Sequence, residues 1–272
     1  MIKIHEVIPQ KNILILSPHY DDVVLTFGGY IDSLKKHNNL ANKNIRIINI
    51  FSRSCYQAHD DIGNQDHSLK RVQFATGIRL LEDLNCLDDL LGFGNYSYEV
   101  LGERECVLRA KPWKKGEEFE FPQGNRETFD EEEWGIFERL KKRSEQWLRE
   151  DDTAVLIPLG VKEHIDHIIL REAVVDAWKE QKGKSQLYFG EDQPYTGLAD
   201  SKDWDLINTF LNQFKLQSKD YEIDIDRKAD LVMKHYPSQV EESYEKGVRN
   251  RSASLQKVLN INHNVERIYS IL

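Results

Sequence analysis

Residues 13 to 29 read Ile13-Leu14-Ile15-Leu16-Ser17-Pro18-His19-Tyr20-Asp21-Asp22-Val23-Val24-Leu25-Thr26-Phe27-Gly28-Gly29, an apolar run that passes directly into a histidine and two adjacent aspartates. A short, continuous apolar run bounded by turn residues is the pattern of a strand buried on both faces. Behind the aspartates, Val23, Val24, Phe27, Tyr30, Ile31 and Leu34 recur at helical spacing as far as Lys36. Strand, turn and helix in that order form the repeating unit of an α/β protein. The aspartates admit two readings. One is a helix cap, since a carboxylate satisfies orphan amides and suits the positive end of the helix dipole; the other is a ligand set or an acid/base pair beside the imidazole of His19.

The same unit returns along the chain. Ile45 to Phe51 is a second strand pattern, followed by helical spacing over Leu69 to Leu84. Asp130 to Glu150 predicts a helix with Trp134, Phe137, Leu140, Trp147 and Leu148 on one side, and Ala154 to Pro158 a buried strand. Helix over Ile165 to Lys179, strand over Gln186 to Phe189, helix over Asp203 to Phe214, strand over Tyr221 to Ile225, and helices over Asp226 to His235 and Gln239 to Lys246 follow, with Arg267 to Leu272 pairing at an edge. The alternation predicts a Rossmann-like α/β fold, with a mostly parallel sheet and helices on both faces. Residues 92–133 break the pattern with glycine, proline, aromatic and acidic residues and read as an insertion in a single domain spanning 1–272.

Composition narrows the function. A formal charge of −9 leaves no basic excess for a phosphate backbone, so nucleic acid is excluded as a partner. No run approaches the length of a membrane span, and the first residues lack the regions of a secretion signal, so a cytoplasmic protein is expected. Cys55, Cys86 and Cys106 share no metal-type spacing and read as free thiols. A homo-oligomer stays open.

A second cluster, Glu163-His164-Ile165-Asp166-His167, again follows a buried strand and opens a helix. In open parallel sheets, ligands bind beyond the carboxyl ends of the strands. Two such ends each delivering imidazole and carboxylate point to a metal site, and two histidines with one aspartate and a vacant fourth position is a catalytic zinc arrangement.

These motifs carry a resemblance. Ser17-Pro18-His19-Tyr20-Asp21-Asp22 with Gly28-Gly29 resembles the Pro-His-Pro-Asp-Asp signature of the PIG-L/LmbE family of zinc-dependent N-acetyl sugar deacetylases. His164-Ile165-Asp166-His167 is similar to its His-Pro-Asp-His motif, and Tyr236-Pro237-Ser238-Gln239, preceded by Lys228, to its carboxyl-terminal Ser-Gln motif. The resemblance implies that His19, Asp22 and His167 bind Zn2+ or another divalent metal, that Asp21 is the general base and that a protonated His164 supports the transition state. It implies an N-acetylated amino sugar or conjugate as the small-molecule substrate. Asp166 would orient a histidine, and Arg71 and His235 are candidates for substrate contact. Departures fall outside the ligands: Tyr20 and Val23 flank the aspartates, Lys70 to Phe74 lacks the glutamate expected after its arginine, and Lys162 stands where some relatives carry a tyrosine that assists the reaction. A sugar-binding relative without catalysis and a metal-dependent phosphoesterase are the competing readings. His59-Asp60-Asp61 and Asp66-His67 read as a polar rim.

Overall fold

In the computed structural model, which describes residues 2–58, 66–109, 122–181 and 184–271, the opening apolar run is strand β1 (Asn12–Ser17). It pairs in parallel with β2 (Asn44–Asn49) on one side and β4 (Thr153–Pro158) on the other, so Ile13 lies beside both Ile45 and Ala154. Strand β3 (Tyr96–Val100) extends the parallel set beyond β2, and β5 (Gln186–Gly190) extends it beyond β4. Two antiparallel strands complete the sheet: β7 (Val265–Ser270) pairs with β5, and β6 (Gln217–Glu222) pairs with β7. The order is β3-β2-β1-β4-β5-β7-β6.

Period-two alternation divides the core. Ile13, Ile15, Ile45, Ile47, Ala154 and Leu156 face helices α2 (Asp22–Lys36), α3 (Leu69–Leu91) and α7 (Ile225–His235), meeting Phe27, Leu34, Leu87 and Leu231. Leu14, Leu16, Ile48, Val155 and Ile157 face the other way, toward Phe137 and Leu140 of α4 (Glu131–Trp147) and Ile169 and Ala173 of α5 (Ile165–Gln181). Fully burying each of these larger side chains contributes about 1.5–3 kcal/mol. Helices α1 (Ile4–Val7), α6 (Ser201–Gln213) and α8 (Glu242–Leu259) complete the layers. No helix among the described residues is long and apolar enough to cross a membrane.

Two expectations are corrected. The segment read as an insertion from residue 92 contains β3, an edge strand of the main sheet. Its burial alternates only weakly, and Tyr96, Ser97 and Glu99 hid a strand whose outer edge has no strand partner among the described residues. The carboxyl-terminal strand is interior rather than marginal, lying between β5 and β6. Helices α3 and α8 also run well past the ends expected for them.

Strand order reverses between β1 and β4, since the chain winds outward through β2 and β3 before returning to β1's other side. That switch point opens a crevice beyond the carboxyl ends of both strands.

Candidate metal and catalytic site

His19 and Asp22 leave the end of β1, and His164 and His167 leave the end of β4. Asp21 occupies the cap position of α2, yet its side chain makes no capping hydrogen bond. Asp22 Oδ2 instead accepts the His19 backbone N–H at 2.9 Å. Capping therefore does not account for the aspartate pair.

Three atoms define the centre. Asp22 Oδ2 lies 3.3 Å from His19 Nδ1 and 3.3 Å from His167 Nε2, and those two nitrogens are 3.3 Å apart. A tetrahedral ion with bonds of about 2.0–2.1 Å has ligands about 3.3–3.4 Å apart, so this triangle fits zinc with one corner left for water. All three residues are buried.

The remaining ring nitrogens are held from behind. His19 Nε2 lies 3.0 Å from Asp166 Oδ2, and His167 Nδ1 lies 2.5 Å from Asp192 Oδ1. In the neutral ring each carboxylate would hold the proton on the nitrogen beside it, leaving the other nitrogen's lone pair to face the triangle. Asp166 is itself fixed by Arg109 Nη1 at 2.7 Å and by the Cys106 backbone N–H at 2.9 Å. Asp192, just beyond β5, accepts the N–H groups of Gly160 and Val161 at 2.8 and 3.2 Å.

The field of the centre favours a cation. Burial works against charge on His19, but Glu105, Asp166 and Asp22 carry its pKa up to about 9. His167 is likewise raised well above the usual imidazole value against burial, by Asp22 and Asp192. A site that holds protons this firmly is a site with excess negative charge, which a divalent ion would neutralise. Burial and the neighbouring Asp22 charge push Asp21 up to about 6. His164 moves the other way: burial, then the charges of His167 and His19, depress it well below the ordinary value. Both effects oppose the protonated His164 that the resemblance implied. Its Nδ1 accepts the Asp166 backbone N–H at 3.3 Å, so its proton sits on Nε2.

Backbone strain delivers His164. Gly160, Lys162 and Glu163 have φ of 81°, 61° and 55°, a left-handed turn that costs the two non-glycine residues about 1–2 kcal/mol each. Residues beyond β3 brace it: Gln123 bridges to His164, and the Gly124 N–H donates to the Glu163 carbonyl at 3.0 Å.

Other expectations land elsewhere. Arg71 is spent on the Cys55 carbonyl at 2.8 Å and Gln57 at 2.7 Å. The arginine facing the site is Arg79, two turns later in α3, with Glu82 three residues after it. Its guanidinium reaches Glu105 at 2.8 Å, Ser54 at 2.6 Å and Gln239 at 2.8 Å. Ser238 and Gln239 clamp Glu82. The Ser-Gln motif thus touches the site through Arg79 and Glu105, whose carboxylate is 3.6 Å from His19 Nε2. His235 is turned away, bonded to Asp89 at 2.9 Å in a cluster with Arg227 and Lys234. Lys228 forms a buried pair with Glu266 of β7, and Lys162 pairs with Asp203 at 3.1 Å. Asp66 accepts from Ser68 at the start of α3, while His59-Asp60-Asp61 lies outside the described residues. None of the three cysteines is in a disulfide, and all are buried. Cys106 lies with His164 and Asp166 within 4.8 Å, but Asp166 is already committed to Arg109 and His19.

Sequence reasoning missed Asp192, Glu105, Arg79 and Arg109. The signal for Asp192 was available, as Glu191-Asp192 follows a third apolar strand end. Glu105 and Arg109 had none, being polar residues in a stretch without periodicity.

The α/β fold is shared with solved deacetylase structures. Teicoplanin deacetylase Orf2 in its zinc-inhibited form superposes with a TM-score of 0.63 at 16% identity, over 96% of this chain and 98% of that one. The N,N'-diacetylchitobiose deacetylase from Pyrococcus horikoshii gives 0.53 at 16% identity over 95% and 83%. GalB, the 4-carboxy-2-hydroxymuconate hydratase from Pseudomonas putida KT2440, gives 0.51 at 15% identity over 96% and 96%. No family model and no curated protein matches the sequence.

Proposed function

We propose that the protein is a metal-dependent amide hydrolase that removes an acetyl group from an N-acetylated amino sugar or a conjugate of one. The observation that carries this reading is the triangle of His19 Nδ1, Asp22 Oδ2 and His167 Nε2, with Asp21 adjacent but outside it. Those three atoms would hold a divalent ion, with zinc best suited to the donor set. Bound there, zinc supplies polarisation of the acetamide carbonyl and a lowered pKa for water.

The chain's own residues supply the rest. Asp21, with a pKa raised to about 6, is ionised at neutral pH yet basic enough to take the proton of the attacking water. It then returns that proton to the nitrogen as the C–N bond breaks, since an amine leaves far more readily than an amide anion. His164, kept neutral, donates its Nε2–H to the oxygen on which charge develops. Asp166 and Asp192 keep the two ligand rings in the required tautomer.

Metal analysis of protein purified without added metal, joined to acetate release from N-acetylglucosamine derivatives before and after chelation, tests the reading. Chelator-sensitive acetate release is expected; none on such a panel sinks it. The hydratase among the structural neighbours favours one other reading, and metal-dependent hydration of a carbon–carbon double bond without acetate release would put that in its place.

A further inference from the structure

We propose that a groove along the amino-terminal half of α3 binds a single-chain amphiphilic anion, an alkyl chain ending in a carboxylate, with Arg53 as its charge partner. The inference does not depend on the deacetylase reading. The groove has a volume of about 810 Å³, within the range of small-molecule sites. Leu69, Val72 and Gly77 of α3 line one side and Leu108 the other. From Leu69 to Gly77 the helix advances roughly 12 Å, enough for an extended chain of about ten carbons. Val72 and Leu108 rest on the core beneath, whereas Leu69 is 72% exposed and a Cβ at Gly77 would meet nothing within 4 Å. Open apolar surface with a polar rim marks a ligand groove.

The rim supplies the charge. Arg53 and Arg104 are bridge partners on parallel segments beyond β2 and β3, locked by the Arg53 N–H on the Glu103 carbonyl at 3.1 Å and the Glu105 N–H on the Arg53 carbonyl at 2.9 Å. Like charges on neighbouring segments repel unless an anion joins them. Glu132 answers Arg104, and Glu103 is spent on Arg139 at 2.8 Å. Asp66, next to His67 on the rim, is bonded to Ser68 at 2.8 Å. Among the described residues nothing answers Arg53, whose guanidinium makes no hydrogen bond or ion pair and lies over Gly102, where a Cβ would stand 3.6 Å from its Nε. An uncharged chain would leave Arg53 unmatched, and a compact anion would leave the apolar walls uncovered. An alkyl carboxylate satisfies both.

The groove backs onto the metal site. Consecutive residues of the two segments serve opposite sides: Arg53 and Arg104 line the groove, while Ser54 and Glu105 bond to Arg79. Thr76 spans the two, lining the groove and accepting the Ser54 N–H at 3.1 Å. An occupant is thus held one residue away from the network that reaches His19.

Calorimetric titration of dodecanoate, below its micelle concentration, into the chelated full chain tests the inference; chelation removes metal as a rival partner for the carboxylate. We expect one dodecanoate per chain, bound about tenfold more weakly by Arg53→Gln. Gly77→Leu fills the groove without displacing a neighbour, and should also weaken binding at least about tenfold. Arg53 is exposed and Gly77 unobstructed, so both variants keep the fold. Dodecyltrimethylammonium, which reverses the charge, and butanoate, which lacks most of the chain, should each bind the parent at least about tenfold more weakly than dodecanoate. No binding by the parent overturns the inference, as does equal affinity of parent and Arg53→Gln for dodecanoate, or of the parent for the cation and the anion. Uptake onto phosphatidylglycerol vesicles, or a parent dimer that Gly77→Leu abolishes, without binding of monomeric dodecanoate, overturns it in favour of a membrane or a second copy.

Discussion

Asp192 sits one bond behind the metal triangle, and its carboxylate does two things at once. It fixes the His167 tautomer, and it ties down the Gly160 and Val161 amides at the start of the strained turn. Asp192→Asn keeps the shape but loses the charge that makes His167 a strong ligand, so zinc affinity should fall about 10–100-fold, measured by competition with a chromogenic chelator. Unchanged affinity would mean the ring is oriented by packing alone. Asp21→Ala should abolish turnover with zinc still bound, because Asp21 lies outside the triangle; loss of zinc as well would make it a ligand. In the parent, kcat/KM should decline as the pH drops through about 6, where Asp21 takes up its proton, or somewhat lower, since a bound cation favours the carboxylate. The convergence of His19, Asp22 and His167 was legible in the sequence because each sits in a short motif at a strand end. Arg79 was not: it lies mid-helix among ordinary polar residues, and only the convergence of Ser54, Glu105 and Gln239 from three distant segments distinguishes it from Arg71.

Among elements, legibility followed burial. Strands β1, β2, β4 and β5 are nearly or wholly buried, and their apolar runs announced them. Strand β3 is half-exposed and β6 carries Lys219 and Asp220, so their patterns were weak and their limits misread. Nor could sequence reveal that the turn bearing Tyr195 rests on α8, a contact between two glycines that have no side chains to signal it. Gly197→Ala would force backbone apart there, and we expect a loss of about 3 kcal/mol in urea unfolding with kcat falling in parallel. Gly77 in α3 is the matched control. A Cβ there meets nothing within 4 Å, so Gly77→Ala should stabilise by about 0.5–1 kcal/mol through helix propensity. If both substitutions destabilise alike, crowding at residue 197 is not the cause.

Over the whole molecule, the histidine and aspartate cluster and the core beside it carry charge that burial penalises. Asp83, buried between α3 and the sheet, is pushed up to about 8, first by burial and further by Asp21 and Asp22, while the hydroxyls of Tyr98 and Tyr236 donate to it at 2.5 and 2.8 Å and pull the other way. The unfolded chain would lose that proton near pH 4. Between about pH 4 and pH 8 the folded state thus binds a proton the unfolded state does not, and stability declines as the pH rises. His19, raised to about 9, acts in the same direction at higher pH: the stability its proton brings is complete below the unfolded value and is lost as the pH climbs through the folded one. Zinc held there would oppose this trend, because the nitrogens of His19 and His167 must be free of protons to bind it. Urea unfolding of chelated protein at pH 5 and pH 8 should therefore give the lower stability at pH 8, and added zinc should restore more at pH 8 than at pH 5. Asp83→Asn, which cannot ionise, should flatten the metal-free profile by as much as a few kcal/mol, because each tenfold difference in proton affinity between the folded and unfolded chain is worth roughly 1.4 kcal/mol. The zinc-dependent gain should be unaltered. A variant profile parallel to that of the parent would show that Asp83 ionises freely in the fold.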